Sequence, residues 1–145
     1  MTLYLVDTNI VSAGAPNRSH ALLAQWMDTN SARLYISTIS IAEIESGISK
    51  SRRAGSTAKA DLIAQWLEQL LHLYGARVLP FDTGAARIAG AFIDACRAKG
   101  APAGFPDIAI AATAKANGLM VLTRNLKHFA PLGVQVHDPH ASLPA

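Results

Sequence analysis

Only one cysteine, Cys96, stands among the 145 residues, so an intrachain disulfide is excluded. Charged residues make up just 16% of the sequence against 50% hydrophobic residues, which is a globular composition and not a disordered one. The apolar runs fall well below the ~18 residues of a membrane span. The start of the sequence also lacks the basic segment and long apolar stretch of a secretory signal. We therefore expect a cytoplasmic protein with no membrane association.

Aromatic residues are also few, at 6%, and no group of them marks a platform on which nucleic-acid bases would stack. The five histidines lack metal-ligand spacing such as H-E-x-x-H. His128 alone falls near the candidate site described below, and we expect a structural or surface role for it. Cys96 lies within an apolar helical pattern and is expected to be structural as well.

The charge that is present has a mild basic excess, with a net charge of +3 and a pI of about 9.3. Such an excess permits a nucleic-acid partner without proving one. The basic residues gather in two groups, which are candidates for contact with a phosphate backbone. The alternative is a pair of solvated helix ends, where cations interact favourably with the helix dipole. The two groups are Lys50, Arg52, Arg53 and Lys59, and then Arg124 and Lys127.

Short apolar runs alternate with helical patterns along most of the chain, which indicates an α/β fold. Strands are predicted at 3–6, 34–37, 77–81 and 119–122, with 133–137 as a candidate fifth strand. Helices are predicted at 9–13, 20–28, 37–53, 57–74, 82–99 and 107–117. We expect a three-layer α/β/α domain over residues 1–138, with a central parallel sheet of four to five strands. The two helices after the second strand would form a helical arm, and residues 139–145 a loose tail.

Four polar side chains stand at junctions between apolar elements and polar breaks. Asp7 ends the first strand, Glu43 lies in the first turn of the helix after the second strand, and Asp107 opens the helix before the fourth. Asn125 follows that fourth strand. Since the carboxyl ends of parallel strands meet at one edge of a sheet, these side chains can converge. Clustered carboxylates repel each other unless a cation is present. Hard oxygen ligands suit Mg²⁺ or Mn²⁺, and such a site suits phosphodiester hydrolysis.

Each of these residues also has a purely structural interpretation. Asp7 can cap the helix that follows it, and Asn125 can be a turn residue. Glu43 can form a capping box with Ser40, and Asp107 can be an ordinary helix start after a proline. Asp82 also follows a strand, but we expect it to cap the next helix. Single positions are weak, and only the joint spacing supports a metal site.

Three segments carry a resemblance to a known family, and the resemblance covers nearly the whole chain. They are LVDTN at the start, STISIAEIESGI in the middle and PDIAIAATAKANGLMVLTRN followed by HF. In this order and spacing they resemble the PIN-domain family, above all the VapC and FitB toxins of type II toxin–antitoxin pairs. The resemblance implies a PIN fold and a Mg²⁺- or Mn²⁺-dependent endoribonuclease activity. It also implies a homodimer that a small antitoxin protein keeps silent.

By position, Asp7, Glu43 and Asp107 match the three acidic ligands of the family. Asn125 matches a fourth polar position that is Asp in many members, so one negative charge is missing and a second metal is in doubt. Beside these positions stand candidates to orient the ligands or water through hydrogen bonds. They are Thr8, Asn9 and Thr123. The resemblance further suggests that the antitoxin inserts a basic residue towards the acids.

Other classes of protein stay open at this point. An Asp-nucleophile phosphatase or phosphotransferase would use Asp7, but the dehalogenase type expects a second Asp where Asn9 stands. A phospho-accepting receiver domain lacks a clear acceptor after the third strand except Asp82. A catalytically silent PIN-like interaction module is the non-enzyme alternative. Whether the protein is a nuclease or a silent module, the helical arm can bury its apolar stripes in its own core or offer a groove to an antitoxin segment.

Overall fold

The central element is a parallel sheet of five short strands in the order β3-β2-β1-β4-β5. The computed structural model describes residues 1–16, 20–101 and 103–145. The expected α/β fold is confirmed, and the candidate fifth strand is present. The strands are β1 (Tyr4–Val6), β2 (Leu34–Ser37), β3 (Val78–Leu79), β4 (Met120–Leu122) and β5 (Val136–His137).

Helices cover both faces of this sheet. They are α1 (Thr8–Val11), α2 (Ala21–Thr29), α3 (Thr38–Arg53), α4 (Thr57–Tyr74), α5 (Thr83–Ala98), α6 (Phe105–Ala116) and α7 (Leu126–Phe129). The expected arm is the α3–α4 pair. Its second helix ends where predicted, at Gly75, whose φ of +50° is a conformation that glycine adopts more easily than other residues. Helix α6 begins two residues before the predicted start at Asp107.

The core forms two apolar layers because successive strand residues point to opposite faces of the sheet. Tyr4 and Val6 pack with the layer formed by α1 to α4. Leu5, between them, packs with the layer formed by α5, α6 and Phe129. Helix α6 is buried along almost its whole length, as its apolar sequence indicates. Among the described residues, no helix combines the length and apolar character needed to cross a bilayer.

The residues that follow β1 and β4 lie side by side at one edge of the sheet. The backbone N–H of Asp7 donates to the Leu122 carbonyl at 2.9 Å, and that of Thr123 donates to the His137 carbonyl at 3.0 Å. The parallel pairing of β1 with β4 thus brings residues 7 and 123 together although they are far apart in sequence.

The C-terminal residues, for which the sequence predicts a loose tail, make several contacts. Pro139 is buried, and the backbone N–H of His140 donates to the Asp138 carboxylate at 2.9 Å. The His140 ring packs against the His20 ring. At the last residue, Arg33 donates to the Ala145 carbonyl oxygen at 3.3 Å.

Arg77 joins the end of α4 to the start of β2. Its guanidinium donates to the carbonyl oxygens of Ser31, Leu34 and Leu73, with the Leu34 bond at 2.6 Å and the Leu73 bond at 3.1 Å. The same group lies over the Tyr74 ring, 4.8 Å from its centroid. One side chain therefore satisfies carbonyl groups from three segments.

We expect Arg77→Ala to lower the free energy of unfolding by about 2–3 kcal/mol, because the carbonyl groups lose their donor and Tyr74 loses its cation. The matched control is Arg87→Ala on the exposed face of α5, which should change stability by no more than about 0.5 kcal/mol. Urea denaturation measures both. Equal losses in the two variants would contradict this role of Arg77.

Candidate active site

All four polar residues singled out in the sequence line one open pocket at the edge of the sheet where β1 and β4 end. The pocket has a volume of about 390 Å³, and its wall includes Asp7, Glu43, Asp107 and Asn125. Thr8 and Asn9 also line it, whereas Thr123 is fully buried. Arg124, a candidate for phosphate contact from the sequence, lies in the wall as well. Residues that the sequence did not predict complete the wall. They are Ser12, Ala13, His20 and His140.

Asp7 is the buried member of the group, with only 4% of its surface exposed. One carboxylate oxygen accepts a hydrogen bond from the Thr8 backbone N–H and the other from the Thr123 hydroxyl, both at 2.8 Å. Burial raises the pKa of Asp7 to about 6, and this outweighs the lowering by these two bonds. The nearby negative charges of Asp107 and Glu43 raise that pKa as well. Asp7 also caps α1, so its structural role and its place in the pocket coexist.

Glu43 does not form the capping box considered from the sequence. Helix α3 begins at Thr38, so Glu43 lies beyond the first turn, and the cap is the hydroxyl of Ser37. The Thr8 hydroxyl oxygen instead lies 2.6 Å from a carboxylate oxygen of Glu43 and 2.8 Å from the hydroxyl oxygen of Ser40. Since a carboxylate only accepts, Thr8 donates to Glu43 and Ser40 donates to Thr8. The start of α1 thereby positions the acid of α3.

Asp107 lies in the first turn of α6, where the helix dipole favours a negative charge. One of its carboxylate oxygens is 3.1 Å from Nδ1 of His128 on α7. The sequence analysis gave His128 a structural or surface role and missed this contact. The histidine of the HF pair lies one short helix beyond β4, and α7 turns it back towards the edge of the sheet where Asp107 stands.

Thr123 connects Asp7 to the segment after β4. Its hydroxyl donates to Asp7 and accepts from the backbone N–H of Asn125 at 3.0 Å. Asn125 precedes α7, and its side chain makes no capping bond there. In Asn9, Oδ1 is buried and has no hydrogen-bond partner within the part of the chain that the structure describes. That oxygen is free to accept a bond from a water or other donor in the pocket.

These donors fit a divalent cation of the magnesium type. Within residues 1–16, 20–101 and 103–145, no three acidic, histidine or cysteine side chains are grouped closely enough to enclose an ion alone. Mg²⁺, however, is usually held by one or two carboxylates and keeps several waters. An open pocket with three carboxylates, the Asn125 amide and the unused Asn9 oxygen matches that requirement.

The basic residues divide between the pocket and its surroundings. Arg124 lines the pocket, and Lys59 lines a groove beside it. Lys50, Arg52 and Arg53 lie in the last turn of α3, exposed, with Lys50 about 10 Å along the helix from Glu43. Arg52 pairs with Asp61 at 2.7 Å. The remaining candidate is exposed on α7, namely Lys127.

The rings of His20 and His140 meet at the rim of the pocket. Their centroids are 4.8 Å apart and their planes are 87° apart, which is an edge-to-face arrangement. The residues are 120 positions apart in sequence, and no spacing signal connects them. This pair of rings therefore could not be predicted from the sequence.

Comparison with known proteins agrees with this fold. The PIN domain profile matches residues 4–131. The chain belongs to the PIN domain family. It is 34% identical to VapC ribonuclease Y4jK of Sinorhizobium fredii, over 94% of this chain and 97% of the relative. It is 30% identical to toxin FitB of Neisseria gonorrhoeae, over 94% and 98%. The expected likeness to VapC and FitB toxins is confirmed.

Solved structures give the same result. The crystal structure of FitAcB from Neisseria gonorrhoeae matches with a TM-score of 0.84 and 30% identity, covering 95% of this chain and 99% of that chain. The crystal structure of DNA-bound VapBC from Salmonella typhimurium matches with a TM-score of 0.80 and 27% identity, covering 95% and 98%.

The raised pKa of Asp7 makes a prediction for the metal-free protein. The pKa of Asp7 in the folded protein, about 6, lies above its ordinary value of 3.8. The contribution of Asp7 to stability is therefore fully present at pH values below its ordinary pKa, and it is lost as the pH rises through its pKa in the folded protein. An asparagine does not ionise, so Asp7→Asn does not show this loss of stability. In EDTA, its gain in free energy of unfolding over wild type should grow by about 1–2 kcal/mol between about pH 5 and about pH 8.

Urea denaturation at both pH values measures this difference. Asp94→Asn, on the exposed face of α5, is the matched control and should show a difference that does not depend on pH. An Asp7→Asn gain that stays constant or shrinks towards alkaline pH would contradict the raised pKa.

Proposed function

We propose that this protein is the toxin of a type II toxin–antitoxin pair and a metal-dependent endoribonuclease. The observation that supports this most is the convergence of Asp7, Glu43 and Asp107 on one pocket that also contains Arg124. Three carboxylates suit a cation, and an arginine beside them suits the phosphate of a nucleic acid. The similar chains named VapC ribonuclease and toxin FitB point in the same direction.

In this proposal Asp7, Asp107 and Asn125 hold Mg²⁺ or Mn²⁺, and Glu43 binds it directly or through a water. When bound, the ion acidifies water and offsets negative charge on the scissile phosphate. Asn125 is neutral, so the pocket has three negative side chains. Two bound cations would repel each other, and three carboxylates offset less of that repulsion than four would, which favours a single ion.

The surrounding side chains fix the acids in place. Thr123 and the Thr8 amide orient Asp7, the Thr8 hydroxyl orients Glu43, and His128 orients Asp107. Hydrogen bonds of this kind commonly set the affinity of a carboxylate site for its ion. Each acid thus has a donor from another segment of the chain.

For hydrolysis, the chain needs to bind the phosphate and position a water. Arg124 lies in the pocket to bind a phosphate oxygen. Glu43 is the exposed acid and is in reach of solvent, so it is the residue we assign to position the attacking water and accept its proton. The water oxygen bonds to phosphorus, the bond from phosphorus to the leaving ribose oxygen breaks, and that oxygen takes up a proton. No side-chain nucleophile is required.

The central prediction concerns cleavage of total RNA in Mg²⁺. Wild type should cleave it, EDTA should abolish cleavage, and Asp107→Asn should lower the rate by about 100-fold or more because a ligand is lost. Asp94→Asn changes the same atoms on the exposed face of α5 and should cleave like wild type. Mapping of the 5′ ends reports the rate and the sites.

Four other outcomes would count against this assignment. Cleavage that persists in EDTA, or a fully active Asp107→Asn, would contradict the metal site. A labile aspartyl phosphate on Asp7 would support the phosphatase or phosphotransferase. A wild type without activity on RNA would support the silent interaction module.

The partner surface that we propose is a groove between α3 and α4. Its wall includes Ile44, Ile48, Ile63 and Trp66, and it reaches the acidic pocket through the shared residues Thr8 and Glu43. An amphipathic antitoxin segment could bury apolar side chains there and direct a basic residue towards the acids. The toxin–antitoxin hetero-oligomer of this proposal, and the homodimer implied by the family, are both measurable by size-exclusion with light scattering.

Gly47 offers a specific test because it lines this groove and has open space around it. Gly47→Leu should fill the groove and abolish copurification with the antitoxin from the neighbouring gene, while RNA cleavage and folding persist. The matched control is Gly90→Leu, the same change at an exposed glycine of α5 with open space around it. If Gly47→Leu still binds the antitoxin like the control, the groove is not the docking site.

A further inference from the structure

Another cavity adjoins the acidic pocket. It has a volume of about 510 Å³ and lies between the start of α2 and the C-terminal residues. His20 and His140 line both this cavity and the acidic pocket, so the two spaces are direct neighbours. We call it the C-terminal cavity, and the residues that matter here are His20, Leu22, Pro139, His140, Ser142 and Leu143.

Apart from its two imidazoles and Ser142, the described residues that line this cavity are apolar. Leu22 is 74% exposed and Leu143 is 44% exposed, which are large values for leucine. No lysine, arginine or acidic residue is among the described residues that line it. The pKa of His140 is lowered by partial burial and by the positive charges of Arg124 and His20, while Asp138 opposes this shift.

Such a surface suits a flat, uncharged group and does not suit a phosphate. RNA bases that are not paired are recognised by stacking on aromatic or imidazole planes and on apolar side chains. In an edge-to-face pair the edge of one ring covers only one face of the other, and Leu143 and Pro139 line the same cavity as the two rings. Ser142 adds a hydroxyl that can bond to the edge of a base.

We propose that the C-terminal cavity binds the base of the nucleotide next to the scissile phosphate and contributes to the choice of cleavage site. This inference rests on the proposed ribonuclease function. A strand whose phosphate lies at Arg124 and the acids passes the shared His20 and His140 rings directly, so the neighbouring base enters the cavity. The antitoxin segment, in contrast, is assigned to the groove on the other side of Glu43.

The first experiment measures binding without cleavage. A short fluorescein-labelled single-stranded RNA of mixed sequence is titrated in EDTA and followed by fluorescence anisotropy. His140→Ala should weaken binding by about tenfold, the usual effect of removing one stacking partner. His140→Phe keeps a flat ring and should stay within about twofold of wild type. His72→Ala, an exposed histidine of α4, is the matched control and should bind like wild type.

A series of RNAs with one abasic nucleotide at successive positions identifies the base. One abasic position should weaken wild-type binding by as much as His140→Ala does. The RNA with that abasic position should bind wild type and His140→Ala equally, because it lacks the base that His140 contacts. Thermal melts of each variant separate loss of the contact from loss of the fold, since His140→Phe and His140→Ala should melt alike.

The second experiment maps cleavage sites in Mg²⁺. His140→Ala should retain metal-dependent cleavage but lose nucleotide preference at one position beside the cut, and His140→Phe should keep most of it. If wild type cleaves RNA and His140→Ala matches His72→Ala in binding and in preference, the cavity proposal is overturned while the nuclease stands. If His140→Ala weakens RNA binding but wild type never cleaves, the nuclease is overturned and so is the role of the cavity in choosing a cleavage site, and only an RNA contact at His140 is left. Loss of antitoxin binding alone in His140→Ala would make the cavity a protein contact and overturn the proposal.

Discussion

The whole site depends on one buried carboxylate. Asp7 stands where β1 leaves the core, only 4% exposed, and burial raises its pKa to about 6. A charge in such a place is costly unless it is paired. The amide of Thr8 and the hydroxyl of Thr123 supply two donors but no positive charge. Asp107 and Glu43 add further negative charge nearby, so the three carboxylates repel each other, and a bound cation would offset this repulsion.

Hydrogen bonds from neighbouring side chains connect Asp7 and the other two acids to several segments at this edge of the sheet. Thr8 binds Glu43 across from α1 to α3, Thr123 binds Asp7 and Asn125 across β1 and β4, and His128 reaches Asp107 from α7. The pocket that results shares lining residues with two other spaces. One is the α3–α4 groove, and the other is the C-terminal cavity. Our proposals assign a different ligand to each space: the antitoxin to the groove, the reacting phosphate to the acidic pocket and a neighbouring base to the C-terminal cavity.

Much of this arrangement was predictable because parallel strands impose it. Asp7 directly follows β1, Asn125 stands three residues after the end of β4, and Asp107 lies in the first turn of a buried helix, so their convergence follows from the α/β pattern. The placement of Glu43 in the first helical turn was wrong, and its alternative role in a capping box with Ser40 is not observed, because Ser37 caps α3 and the helix begins at Thr38. The partners of the acids were not predictable in the same way. The Thr8–Glu43 bond, the His128–Asp107 contact and the His20–His140 pair depend on how loops and short helices pack, and sequence spacing carries no information on that packing.

The claim that the three carboxylates form one divalent-cation site has a direct test that does not require RNA. Mn²⁺ is titrated into metal-free protein, and the electron paramagnetic resonance signal of the free ion is recorded. Wild type and Asp94→Asn should take up the ion with the same dissociation constant, while Asp7→Asn and Asp107→Asn should bind it about 10- to 100-fold more weakly. Equal binding of Mn²⁺ by wild type, Asp7→Asn and Asp107→Asn would contradict the account.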